Sequence, residues 1–282
     1  MPPQPIYTAE ALTGPAYQLR YTWSGWPSAG KFPPPPADTV FHGLDGAWEQ
    51  DGLRRLEQNW GPEMIQFTFS VKPHVSPTVF AARVKGRLQH ALRAAGVPTA
   101  FSRKLGVRTI GDNTATEVET YIRKQVDKEP LADPRFRDFL RQFTVLNPDV
   151  NLDQPTASNS GRYWYNLHLV LVVTQRYRLT DETSLATLRD WSLAVAKKKG
   201  HAISALSVMP DHLHAALRRN INDSPQEIAL GFLNNLAYGF GQKPIWQNGY
   251  YVGTFSEYTM GAVRTAGGDD AEEKQEDGTG WP

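Results

Sequence analysis

The sequence predicts an α+β protein built as two ferredoxin-like or RRM-like halves in tandem, each an antiparallel sheet with helices on one face. Three observations predict it. Apolar residues alternate at 64–69 and again at 202–206, as half-buried strands do. A Ser-Pro pair, Ser76-Pro77 or Ser224-Pro225, then opens an amphipathic stretch in each half; serine as N-cap with proline at the first helical position is a helix start signal. The order strand, helix, strand, helix, strand occurs twice, which marks an internal repeat.

In chain order, residues 17–23 match 165–174 as opening strands, and 44–60 match 180–200 as helices. Ser-Val-Lys-Pro-His at 70–74 matches Ser-Val-Met-Pro-Asp at 207–211, each ending a strand. The Ser-Pro helices cover 78–95 and 226–240, and closing strands follow at 105–109 and 250–254. A further helix at 114–126 belongs to the first half; in the second, 260–265 run into Gly267-Gly268. The expected units are residues 1–128, a linker at 129–160 with a short helix near 134–143, a second unit at 161–266, and a disordered acidic tail at 267–282 with six acids and one lysine.

With 282 residues and 40% hydrophobic content the chain can bury a real core. Its formal net charge of +1 means that any nucleic-acid surface must be local. The absence of cysteine excludes disulfides, thiolate metal sites and cysteine nucleophiles. No apolar run reaches the ~18 residues of a membrane span, and the N-terminus lacks the basic and apolar regions of a signal peptide.

The sharpest local signal is Pro210-Asp211-His212-Leu213-His214. On a strand, residues two apart share a face, so His212 and His214 present two imidazoles while Leu213 points inward. Taken alone, the pair reads equally well as two ordinary surface histidines. On the helix at 114–126, Val118, Ile122 and Val126 form a buried stripe. Tyr121 and Gln125 lie one turn apart on another face, with Arg123 and Lys124 beside them. That helix also reads as a plain amphipathic one.

Together, the histidine motif, the Ser-Pro helix and Ile-Trp-Gln-Asn-Gly-Tyr-Tyr at 245–251 resemble the HUH single-tyrosine transposases, the TnpA and REP-associated group. The resemblance covers about residues 161–265 nearly end to end and 16–127 more loosely. It implies that Tyr121 is the nucleophile and that Gln125 joins His212 and His214 on a divalent metal, Mg²⁺ or Mn²⁺. It implies a single-stranded or hairpin DNA partner, a 5′-phosphotyrosine intermediate, and a cytoplasmic, nucleoid-associated bacterial setting.

Each half lacks what the other keeps. With Pro73 set on Pro210, His212 falls on Val75 and His214 on Pro77; with Thr109 set on Thr254, Tyr121 falls on Ala266 and Gln125 on Asp270. Such transposases are similar in sharing sites across a dimer. The expectation is therefore a single-chain pseudo-dimer with one composite site, further dimerisation left open. Asp211 is a candidate to orient a histidine. Arg83, Lys85, Arg87 and Arg93, the lysines at 197–199, and Trp246, Tyr250 and Tyr251 are candidates for phosphate tracking and base stacking. A catalytically inactive DNA-binding descendant of a transposase is the alternative, and a metal-dependent hydrolase with a structural Tyr121 is a third reading.

Overall fold

The structure, a computed structural model, describes residues 4–97, 99–129, 133–241 and 243–258. The first half runs β1 (Ala16–Gln18), β2 (Arg20–Pro27), α1 (Asp38–Gln50), β3 (Leu53–Trp60), β4 (Ile65–Val71), α2 (Pro77–Ala94), β5 (Phe101–Ile110), α3 (Ala115–Arg123) and α4 (Gln125–Lys128). After α5 (Pro134–Arg141), β6 (Thr144–Leu146) and β7 (Thr156–Ala157), the second half runs β8 (Gly161–Trp164), β9 (Asn166–Val172), α6 (Glu182–Lys198), β10 (Ala202–Val208), β11 (His212–Arg218), α7 (Pro225–Gly239) and β12 (Tyr251–Thr254).

Among the described residues the sheets are β3-β4-β2-β5-β8-β7 and β1-β12-β9-β11-β10-β6. Each contains the four-strand antiparallel order of a ferredoxin-like βαββαβ unit, β3-β4-β2-β5 in one and β10-β11-β9-β12 in the other. The α+β expectation holds, but neither sheet is purely antiparallel. The halves exchange strands: β1 leaves its own half to pair in parallel with β12, and β8 pairs in parallel with β5.

The exchange repeats in atomic detail. Thr109 Oγ1 donates toward the carbonyls of Trp164 (3.1 Å) and Phe255 (3.0 Å) and accepts from Asn166 N (3.1 Å). Thr254 Oγ1 does the same toward Gln18 (3.2 Å) and Ile110 (2.6 Å) and accepts from Arg20 N (2.9 Å). Helix starts cross over as well: Thr78 N donates to Ile221 O, and Gln226 N to Pro73 O. A buried core running from Tyr21, Trp23 and Phe67 to Leu167, Leu169 and Leu217 underlies both sheets.

Three expectations change. The stretch 44–60 is not one helix. Phe41, Leu44 and Trp48 form the buried stripe of α1, Gly52 at φ 80° ends it, and β3 follows. As an edge strand with a bulge at Leu56, β3 has no clean alternation to read. The register therefore moves by one strand. Tyr21 pairs with Phe69 and Thr109, as Leu167 pairs with Leu217 and Thr254. On that frame His212 stands over Met64 and His214 over Gln66, not over Val75 and Pro77; β4 matches β11, and the shared Ser-Val-x-Pro sits at different places in the two halves. Thirdly, residues 129–160 are more than a tether, since β6 pairs with β10 and β7 with β8. The tail at 267–282, the run 260–265, and Ala266 and Asp270 lie outside the described residues.

Candidate active site

β11 begins at His212, and its alternation sends Leu213 into the core and both histidines to the outer face. Each imidazole has its Nδ1 engaged. His212 Nδ1 lies 2.6 Å from Asp211 Oδ1, and Asp211 Oδ2 accepts from Arg176 at 3.3 Å. His214 Nδ1 lies 3.0 Å from Nε2 of His168, whose ring stacks 5.2 Å away on β9. That leaves Nε2 of His212 and of His214 as the nitrogens that could hold a metal, in an arrangement where outer partners fix the tautomer. Arg176 is delivered by a tight turn in which Gln175 (φ 55°) and Arg176 (φ 52°) are both left-handed, a conformation that costs non-glycine residues energy.

Helix α3 comes from the first half and lies across β10 and β11. A Thr114–Glu117 capping box starts it. Val118 and Ile122 pack on Ala205, Ala216, Phe255 and Leu152, each stabilising the helix there by about 1.5–3 kcal/mol. The helix expected at 114–126 breaks at Lys124 (φ −86°, ψ 4°) and restarts as α4. The Tyr121 ring comes to 5.5 Å from His214 and 5.9 Å from His168. Gln125 is buried; its Nε2 donates to the Tyr121 carbonyl at 3.1 Å, which leaves Oε1 as the open acceptor. The break also swings Lys128 back, so that its ammonium sits 3.9 Å above the Tyr121 ring. Tyr121, Gln125, Arg176, His212, His214 and Tyr251 line one cleft of about 380 Å³.

Burial pushes His168 down to about 4. It pushes His214 well below the usual imidazole value, with the charges of His168, His212 and Lys128 adding to the effect. Both imidazoles are neutral at pH 7, the form a metal requires. The hydrogen bond from His212 holds the Asp211 carboxyl below its ordinary value, with a further contribution from Arg176. Among the described residues no three His, Cys, Asp or Glu side chains form a metal group; the Gln125 amide lines the same cleft as His212 and His214. Two imidazoles and an amide oxygen, without sulfur, fit a divalent metal of the Mg²⁺, Mn²⁺ or Zn²⁺ kind.

Residues 162–265 match the family model "Transposase IS200 like". The match covers most of the second half of the chain, including His168, His212 and His214. Two solved structures resemble this chain. One is a protein of Deinococcus radiodurans R1 assigned as a transposase, at 21% identity and TM-score 0.33, spanning 39% of this chain and 95% of that one. The other is a REP-associated tyrosine transposase bound to a REP hairpin, at 17% identity and TM-score 0.30, spanning 36% of this chain and 62% of that one. Among curated proteins none matches.

Not every candidate from the sequence reaches this cleft. Trp246 is 1% exposed and packs in the core, so it is no stacking surface. Arg87 makes two hydrogen bonds to Asp51, with Arg83 also turned to that carboxylate at 3.8 Å. Lys85 is half-buried and donates to Ser102 O. Arg123 and Lys124 are exposed where α3 ends, and Lys128 is the cation over the phenol instead. His168, Arg176 and Lys128 were missed. The one available signal was His168, a lone imidazole within the apolar run 167–173.

Proposed function

We propose that this chain nicks and rejoins single-stranded DNA through a tyrosine ester, as a transposase or a domesticated relative acting on hairpin DNA. The observation that carries the reading is the Tyr121 phenol ring, borne by a helix of the first half, 5.5 Å from His214 of the second. The transposase family match at 162–265 supports it independently.

Tyr121 Oη attacks the phosphorus of the scissile diester. The P–O3′ bond breaks, the 3′ oxygen departs and takes a proton from solvent, and the DNA stays on the protein as 5′-phosphotyrosine. The phenol proton passes to water, and Lys128 over the ring favours the developing phenolate. A divalent metal held by His212, His214 and Gln125 would neutralise the non-bridging oxygens and polarise the phosphorus. Asp211 and His168 keep the two imidazoles aimed, and Arg176 both holds Asp211 and brings a cation to the rim of the cleft. Because the ester conserves the energy of the broken bond, a second 3′-OH displaces Tyr121 and joins new ends without ATP. One such site in one chain is what a fused pseudo-dimer retains.

The test is incubation with a hairpin bearing single-stranded flanks and Mn²⁺, followed by a denaturing gel. A protein–DNA adduct that disappears in Tyr121→Phe is expected. Cleavage that survives Tyr121→Phe, or retardation without any adduct, overturns the reading.

A further inference from the structure

The second sheet's outer face is built to receive a helix. The matching face of the first sheet, opposite the one covered by α1 and α2, is built differently. Glu57 and Thr68 stand where Ala205 and Ala216 lie beneath α3, and a carboxylate and a hydroxyl at those points are poor seats for an apolar helix. Cross-strand rows show what the face carries instead. One runs Arg54, Ser70, Arg20; the next Glu57, Thr68, Thr22, Arg108, Trp164; the third Asn59, Gln66, Ser24, Gly106, Arg162.

Trp26 is 38% exposed, and its ring covers Gly106: a Cβ added there would meet the indole at 3.5 Å. Arg162 and Lys104 stand on the neighbouring strands and Arg54 at the far end of the same face, all three exposed and without an ion pair among the described residues. Arg108 stacks 4.1 Å over Trp164. Arg108 is itself paired with Glu257, but an exposed ring on a face that carries Arg162, Lys104 and Arg54 is the chemistry that holds single-stranded polynucleotide, by base stacking and phosphate attraction. Arg20, at one end of this face, donates its amide to Thr254 Oγ1 at 2.9 Å on β12, the strand that carries Tyr251 of the cleft.

We infer that the first half's outer sheet face is a docking platform for the single strand that leads into or out of the cleft, with Trp26 as its stacking ring and Arg54, Lys104 and Arg162 as its phosphate contacts. This rests on the proposed DNA-cutting reading. It gives the half that carries Tyr121 a binding task on its sheet beside the chemical one of its helix.

Fluorescence anisotropy separates the two ideas, because it reads binding without cutting. Single strands of about 6 and about 16 nucleotides are compared on the full chain. The wild type should bind the longer strand far more tightly, and Arg54→Ala/Lys104→Ala/Arg162→Ala should lose that gain. Its slope of log K against log salt should fall by about 2, at about 0.7 per phosphate contact on a single strand. Trp26→Ala should cost the longer strand about tenfold. Melting temperature and adduct formation on the short strand should not move. A triple variant that keeps the length dependence overturns the platform. So does a chain ending at Tyr258 that binds the longer strand much more tightly than the full chain, since that would seat the acidic residues 259–282 on this face. Failure of every chain to form an adduct, with the length dependence intact, would count against the cleft chemistry alone.

Discussion

On the outer face of the second sheet, His168, His214 and Ala205 lie beneath α3; at the matching positions of the first stand Thr22, Gln66 and Glu57. A few ångströms away the halves are nearly the same: Thr109 and Thr254 close the strand exchange with equivalent hydrogen bonds, and the bulge at Leu56 recurs at Ser204. The joint tolerates little difference because each threonine satisfies buried backbone groups of both halves. The outer faces have no such obligation. One is shaped by a helix and a pair of imidazoles, the other by a ring and loose cations.

The largest expected effect separates the faces. His214→Ala should abolish strand cleavage, whereas Gln66→Ala at the matching position should leave cleavage of a short strand unchanged; equal losses in a gel assay would erase the distinction. Next, His168→Leu should lower metal affinity by about 10–100-fold, the usual cost of removing an outer partner from a ligating histidine. Isothermal titration with Mn²⁺ reads it, and an unchanged affinity would remove His168 from the site.

How much of this was legible in the sequence follows from the range of each interaction. The Ser-Pro caps and the His212/His214 alternation are local, and they were readable. The pairing of Tyr121 with the histidines became readable through the family resemblance, since no periodicity brings residue 121 to residue 214. β3 was not legible, because an edge strand with a bulge has no strict period. Nor was the exchange of β1 and β8, which depends on contacts more than 50 residues apart along the chain. Lys128 was hidden by the helix break at Lys124, which only packing reveals.

The joint gives the intermediate effect. Thr109→Val and Thr254→Val should each lower unfolding free energy by about 1–3 kcal/mol, because each leaves buried carbonyls and an amide without a partner. Urea unfolding measures both, and a large loss in one with none in the other would deny that the joint is symmetric.

The smallest effect is on acid stability. Burial pushes His201 down to about 3, with Arg219 and Lys199 adding to it, and His168 to about 4. The unfolded chain takes up these protons near pH 6.5 while the folded chain does not. Stability should therefore be flat with respect to these groups above pH 6.5 and fall from there toward pH 4. His201→Gln should soften that fall, and an unchanged slope in pH-dependent melting would exclude His201 as a contributor.

The central claim is that one chain supplies both parts of a single site, the phenol from its first half and the imidazoles from its second. Mixing Tyr121→Phe protein with His214→Ala protein tests it most directly, with adduct formation on hairpin DNA as the readout. The account predicts that the mixture stays as inactive as either variant, because neither chain holds a complete set. Activity recovered on mixing would mean that the tyrosine helix serves another copy, and would contradict it.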